Sequence, residues 1–209
     1  MCHLSEVQQV SLSCHFNATE RTFYSSMLRV SDSNKVIKMS ILQNIHAFDV
    51  QTFYWCMARK HRARLTTMGR MVSFSADGPL YIIGACLLWW AGYESLVGVL
   101  ALGFLIERFV YFTLKRSCKR NRPVDALDNF RPFVVPSDQF SFPSGHTSAA
   151  FFVAYCLSEW FPSANSILYC WASSVGLSRI FLGVHFPTDT LIGALLGTVC
   201  AIFVIGVVL

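Results

Sequence analysis

Two histidines at the edges of apolar segments are the side chains of this sequence best suited to chemistry. His146 follows a Pro-Ser-Gly turn, and His185 lies just before the last apolar segment. An imidazole titrates near neutral pH, so each ring could move a proton or act as a nucleophile. Asp189 follows His185 by one helical turn and could orient that ring. The pattern favours acid–base or nucleophilic catalysis.

Fixed cations accompany these histidines. Lys115 and Arg122 lie in one basic run, and Arg179 shortly precedes the second histidine. The forked guanidinium of arginine matches the oxygens of a phosphate. Ser144 and Gly145 come directly before an apolar segment, so their backbone N–H groups could point at an anion bound at a helix N-terminus. Together these groups indicate phosphoryl transfer, in which one histidine attacks phosphorus and the other protonates the departing oxygen.

The composition indicates that a membrane holds these groups. Of 209 residues, 54% are hydrophobic and only 14% are charged, well below the charged fraction usual in soluble domains. The apolar residues are concentrated in segments that mostly approach the ~20 residues needed to cross a bilayer. Backbone polar groups must be satisfied in lipid, so each segment is predicted to be a helix. The segments are 71–93, 95–114, 146–161, 164–182 and 188–209.

Residues 41–57 could add a sixth helix, but their polar side chains favour an interfacial helix with Trp55 at head-group level. The sequence therefore predicts an all-α integral membrane bundle of five or six transmembrane helices. We expect a poorly ordered polar N-terminus over 1–40, an interfacial or first membrane helix with a basic cluster over 41–70, and a transmembrane domain over 71–209.

The connections between segments place the candidate residues on one membrane face. The link over 115–145 is long and basic, and the link over 183–187 contains His185. If the helices cross alternately, both links share a face with the basic cluster at 59–70. Such clusters are expected to contact anionic lipids, whereas nucleic acid is the less favoured partner because apolar segments flank both. The positive-inside rule would place this face in the cytoplasm, but it does not apply to cations that serve to bind phosphate. The sequence therefore does not decide which side of the membrane this face is on.

Three motifs in this order resemble a known family. KRSCKRNRP, PSGH and SRIFLGVHFPTD match the Lys-x6-Arg-Pro, Pro-Ser-Gly-His and Ser-Arg-x5-His-x3-Asp signatures of the type 2 phosphatidic acid phosphatases, a superfamily shared with vanadium haloperoxidases. Every specified position matches, and the resemblance covers roughly residues 70–209. It implies a metal-independent lipid phosphatase without a cofactor, which acts through a phosphohistidine intermediate. It also implies a core of six transmembrane helices, for which only 41–57 could supply the first.

The resemblance further implies a role for each matching residue. His185 would be the nucleophile, Asp189 its partner and His146 the general acid. The residues implied to bind the substrate phosphate are Lys115, Arg122, Ser144, Gly145 and Arg179.

Two other functions are compatible with the same segments. An inactive lipid-binding or scaffold membrane protein would be expected to lack one of the two histidines or Arg179, and all are present. A vanadate-dependent oxidase could use the same anion pocket, but those family members are soluble.

The eight cysteines lack metal-binding spacing, so no metal site is predicted. We expect a multi-pass protein of a bacterial-type inner or plasma membrane. The motifs leave open the oligomeric state and the substrate, which could be a phosphatidate-type monoester or a polyprenyl diphosphate such as undecaprenyl diphosphate.

Overall fold

The computed structural model describes residues 33–58, 62–127, 130–134 and 138–208, with side chains from Gln43 onward except that of Arg62. The chain divides into two compact units, residues 1–46 and 47–209. Of the first unit, only the beginning of one helix is described. The second unit contains every predicted site residue.

All regular secondary structure in the described residues is helical. The helices are α1 (Ser33–Met57), α2 (Arg62–Phe74), α3 (Gly78–Trp90), α4 (Glu94–Cys118), α5 (Pro123–Ala126), α6 (Gly145–Trp160), α7 (Asn165–Phe181) and α8 (Pro187–Val208). A short 3₁₀ turn, Pro162–Ala164, joins α6 to α7. The all-α class is confirmed. Helix α1 begins at Ser33, so its first turns lie in the segment for which the sequence predicts poor order.

Two described stretches are long and apolar enough to cross a membrane, Glu94–Ala126 and Pro187–Val208. A third candidate is the pair Ala63–Phe74 and Gly78–Trp90, which bends by 47°. The bend divides the predicted segment 71–93 at Asp77, where Pro79 can occupy the first turn of α3 because that turn needs no N–H donor. Large apolar side chains lie exposed along α3, α4 and α8, as expected of lipid-facing helices.

Helix α6 lies at the centre of the bundle and packs against α4, α7 and α8. The contact with α8 is close: a Cβ at Gly197 would lie 2.0 Å from the carbonyl oxygen of Ser148. Glycine therefore lets the two backbones approach, as small residues do between membrane helices. Phe152 and Val204 are fully buried beside this contact. The packing fixes the beginning of α6 against the beginning of α8.

Two turns direct polar residues toward the beginnings of α6 and α8. Helix α4 is followed by its C-cap residue Lys119, which has the left-handed backbone angle φ 43°. Helix α7 is followed by Gly183, with φ 76°, where a Cβ would lie 2.6 Å from the ring of Phe130. Only glycine meets both requirements without strain. The links after α4 and α7 consequently meet at the N-terminal ends of α6 and α8.

Candidate active site

A cavity of about 750 Å³ lies between α3, α4, α6 and α7. Its lining changes along α4 from Leu100 and Phe104 to Arg108 and Tyr111, so one end is apolar and the other polar. Helix α6 runs in the opposite sense and has its N-terminus at the polar end. Five of the eight predicted site residues line the cavity, namely Arg122, Gly145, His146, Arg179 and His185.

The two cations of the first motif lie together at the polar end. Lys115 is buried and donates to the hydroxyl of Tyr111 and to Asp138 Oδ2, each at 2.5 Å. Arg122 donates to Asp138 Oδ1, to the Asp138 carbonyl oxygen at 2.9 Å and to the Val184 carbonyl oxygen at 2.6 Å. The Asp138 carboxylate therefore occupies the centre of the cation pair.

Asp138 is held in its ionised form by these neighbours. Burial by itself would raise the pKa of this carboxyl, but hydrogen bonds and charges from Lys115 and Arg122 outweigh it and lower the pKa to about 2. The side chain is 38% exposed, so it can also reach solvent. Near neutral pH the negatively charged Asp138 carboxylate therefore lies between Lys115 and Arg122. No motif marked this residue in the sequence.

The Pro-Ser-Gly-His turn begins α6, as predicted, with Ser144 at the N-cap position. The backbone N–H of Ser144 donates to the carbonyl oxygen of Asp189 at 3.0 Å, and its hydroxyl lies 2.9 Å from that of Thr147. The expectation that this N–H points at an anion is therefore not met, because it joins α6 to α8. Gly145 lines the cavity, and a Cβ there would lie 3.0 Å from the Tyr111 ring.

His185 and Asp189 lie side by side in the buried corner between α7 and α8. His185 Nδ1 is 3.9 Å from Asp189 Oδ2, which is too long for a hydrogen bond. Ser141 lies between them: its hydroxyl is 3.4 Å from His185 Nδ1 and donates to Asp189 Oδ2 at 2.5 Å. Asp189 Oδ2 also accepts the Phe186 N–H at 2.8 Å.

Burial sets the protonation state of His185. Desolvation lowers the pKa of this imidazole from 6.5 to about 4, although Asp189 acts in the opposite direction, and the charges of Arg122 and Arg179 lower it further. Because the folded-state pKa lies well below 7, the ring is neutral at neutral pH. A neutral imidazole has an unprotonated nitrogen available for nucleophilic attack.

A second set of contacts fixes Asp189 from the other side. Arg120 donates to Asp189 Oδ1 at 2.8 Å and to Asp49 Oδ2 at 2.6 Å. Asp49 is fully buried in α1 and accepts the Thr188 N–H at 2.9 Å. Arg120 belongs to a basic run beside an apolar segment, and such cations commonly lie at the lipid surface. Instead, this arginine links α1 to the carboxylate beside His185, whereas Arg116 and Lys119 are exposed.

The other histidine contacts a carboxylate of its own. His146 Nε2 lies 2.8 Å from Oδ1 of Asp77, at the bend between α2 and α3. The nearby Glu107 pairs with Arg108 at 2.5 and 2.7 Å and accepts from Ser148. Asp77 and Glu107 both contact α6, and Glu107 also pairs within α4.

Two buried polar side-chain atoms lack a hydrogen-bond partner among the described residues, Arg179 Nε and the Tyr81 hydroxyl. Both residues line the cavity. Arg179 also donates to Ser73 at 2.6 Å, which fixes its guanidinium. Buried polar groups are usually hydrogen-bonded, so these two atoms are available to bind a water molecule or a ligand in the cavity.

Comparison with known proteins agrees with the three motifs. Residues 95–209, more than half of the chain, match the family model of the PAP2 superfamily. This chain belongs to the PAP2 superfamily. The match begins after α3, so Asp49 and Asp77 lie outside it.

Individual PAP2 proteins are similar over longer stretches. A lipid A 1-phosphatase from Rhizobium johnstonii is 30% identical over 67% of this chain and 66% of its own length. Phosphatidylglycerophosphatase B from Bacillus subtilis is 36% identical over 56% of this chain and 60% of its own. The crystal structure of LpxE from Aquifex aeolicus superposes with a TM-score of 0.67 at 28% identity, over 75% of this chain and 94% of that one. The chain therefore spans less than two thirds of the length of each of these two curated relatives.

Proposed function

We propose that this protein is a membrane-integrated lipid phosphatase that acts through a phosphohistidine intermediate. One observation carries the proposal: the cavity has two histidines and several cations at one end and an apolar body at the other. A lipid phosphate has the same division, with an anionic head group and apolar chains. The relatives named as phosphatases of lipid A and phosphatidylglycerophosphate support this substrate class.

In the proposed reaction His185 attacks phosphorus. Its Nδ1 side faces Ser141 and Asp189, so a proton on Nδ1 can be donated toward the Ser141 hydroxyl, which itself donates to Asp189. This tautomer leaves the lone pair on Nε2 for attack. As the P–N bond forms, the P–O bond to the lipid breaks and its electron pair stays on the lipid oxygen. His146 gives that oxygen a proton, and then accepts one from the water that hydrolyses the phosphohistidine.

The negative charge of the transferred group would be stabilised by preorganised cations and by the start of α6. We assign this role to Lys115, Arg122, Arg179 and Gly145. For Ser144 we propose a different role from the phosphate binding that the motif implies. Its backbone N–H already bonds to α8, so Ser144 would hold the start of α6 in position. No step requires a metal, since side chains supply the positive charge. Among the described residues there is also no group of three His, Cys, Asp or Glu placed to hold one.

The membrane arrangement completes the proposal. Helices α6 and α7 have 16 and 17 residues; α6 runs away from the active-site face and α7 runs back to it, and we propose that both cross the bilayer. We propose five membrane helices in a phosphatase domain over 71–209, with 41–57 as the candidate for a sixth, and an active site at one face of a bacterial-type inner or plasma membrane. Basic residues exposed at that face would contact anionic lipids.

The proposal is tested with purified protein in micelles against phosphatidate, phosphatidylglycerol phosphate, undecaprenyl diphosphate and lipid A phosphate. We expect phosphate release from at least one of them, undiminished by EDTA, and inhibition by vanadate, which mimics the transferred phosphoryl group. A strict Mg²⁺ requirement for the chemical step would count against the mechanism. Release of no phosphate from any lipid would favour the scaffold alternative.

Asp138 gives a separate prediction, because its carboxylate occupies the cation pair that would bind phosphate. Asp138→Asn should lower the inhibition constants of inorganic phosphate and vanadate by about tenfold, as expected when one charged competitor worth ~1.4 kcal/mol is removed. Inhibition of hydrolysis measures these constants, with Asp125→Asn at an exposed position of α5 as the matched control. Weaker inhibition in Asp138→Asn would mean that the carboxylate instead organises Lys115 and Arg122.

A further inference from the structure

We infer that Asp77 is a positioning residue for the general acid: its carboxylate orients His146 and stabilises the protonated imidazole that delivers a proton to the leaving oxygen. This inference rests on the proposed function and adds a residue that none of the three motifs contains. It divides the site into two carboxylate–histidine units, Asp189 with the nucleophile and Asp77 with the acid.

The position of Asp77 is fixed by the bend between α2 and α3. Its backbone N–H donates to the Phe74 carbonyl oxygen, and its own carbonyl oxygen accepts the Leu80 N–H, each at 3.0 Å. Asp77 stands at the N-cap position of α3, where an aspartate commonly bonds to the first free N–H groups of the helix. Here the side chain makes no such capping bond. Its Oδ1 lies 2.8 Å from His146 Nε2 instead.

Both members of the pair face the reaction space. Asp77 and His146 line the cavity, with side-chain exposures of 40% and 29%. Since Nε2 of His146 bonds to Asp77, Nδ1 is the ring nitrogen left to donate to the lipid oxygen. A carboxylate on one imidazole nitrogen fixes the ring and the proton on the other, the arrangement that orients histidines in other hydrolases.

The charges around His146 explain why a carboxylate is needed there. Arg179 on α7 and Arg108 on α4 line the same cavity as His146, and Arg108 also donates to the carbonyl oxygen of the adjacent Gly145. Positive charges beside an imidazole disfavour its protonated form. Asp77 at the α2–α3 bend places a carboxylate in direct contact with the ring and opposes them. An alkoxide leaves poorly without a proton, so the acid must be charged when the P–O bond breaks. Removing Asp77 would leave an imidazole that is neutral, poorly oriented, or both.

The test compares wild-type protein with Asp77→Asn, Asp77→Glu, His146→Ala and the control Asp125→Asn. Turnover is measured from pH 5 to 9 on a lipid phosphate and on p-nitrophenyl phosphate, whose leaving group needs no proton. We expect Asp77→Asn to reduce lipid phosphate turnover by about 10- to 100-fold, part of what a general acid contributes. The basic limb of its pH profile should shift to lower pH, p-nitrophenyl phosphate hydrolysis should change little, and Asp77→Glu should recover part of the loss. Adding Asp77→Asn to His146→Ala should cost nothing more, because both changes remove one function.

An NMR titration of His146 in micelles reports the pair independently of turnover, so the inference can fail while the phosphatase proposal stands, or the reverse. A lower His146 pKa in Asp77→Asn than in wild type supports the pair even if no lipid is hydrolysed. An unchanged His146 pKa overturns the inference. So does an equal loss on both substrates or an additive double mutant, since either would show that Asp77 supports only the fold.

Discussion

His185→Ala should abolish turnover of a lipid phosphate and of p-nitrophenyl phosphate alike, by on the order of 10⁴-fold or more, the loss typical of removing a catalytic nucleophile. Both substrates depend equally on the attacking nitrogen, so an activated leaving group cannot compensate. His185 is buried and neutral at neutral pH, with Ser141 beside Nδ1.

The measurement is steady-state release of phosphate and of p-nitrophenol by purified protein, with circular dichroism to establish that the helices persist. Asp125→Asn serves as the handling control because its side chain is exposed. Near-wild-type turnover of either substrate by His185→Ala would show that another group attacks phosphorus. A loss confined to the lipid substrate would instead give His185 the role of the acid.

His146→Ala should reduce hydrolysis of a lipid phosphate much more than hydrolysis of p-nitrophenyl phosphate. General acid catalysis contributes ~10²–10⁴-fold, so lipid phosphate hydrolysis should fall by about that factor. The p-nitrophenolate group departs as an anion, so its release should fall much less, and phosphoenzyme should still form from that substrate. Rapid-quench assays of both substrates measure the ratio of the two losses. Equal losses would mean that His146 binds the phosphate or maintains the site rather than delivering a proton.

The apolar segments predicted most of the helices, because membrane helices carry their signal in local composition. Segments 95–114 and 188–209 correspond to α4 and α8. The segment 71–93 forms two helices, since Asp77 and Pro79 allow a bend whose direction is set by packing of α2 on α7. The hydropathy pattern shows an interruption at Asp77, but it carries no information about the packing of α2 on α7.

The motifs supplied the candidate site residues, but not the groups that contact them in the structure. Arg120 is one of several cations in a basic run, and its partner Asp49 is 71 residues away in a helix that looked interfacial. The sequence of a basic run looks the same whether its side chains lie at the lipid surface or contact a buried carboxylate. Ser144 stands at the N-cap position of α6, but its N–H bonds to the Asp189 carbonyl oxygen because α8 packs against α6, and the motif carries no information about that packing. Asp138 lies in an irregular link with no periodicity to mark it.

The covalent intermediate is tested most directly by trapping the enzyme during turnover of a ³²P-labelled lipid phosphate. Rapid quenching, digestion under alkaline conditions and mass spectrometry should locate an acid-labile, base-stable phosphate on His185, and none in His185→Ala. In His146→Ala, label supplied from an activated phosphate should still accumulate on His185. Label on His146, or steady lipid hydrolysis with no labelled histidine at any quench time, would contradict the assignment of His185 as the nucleophile.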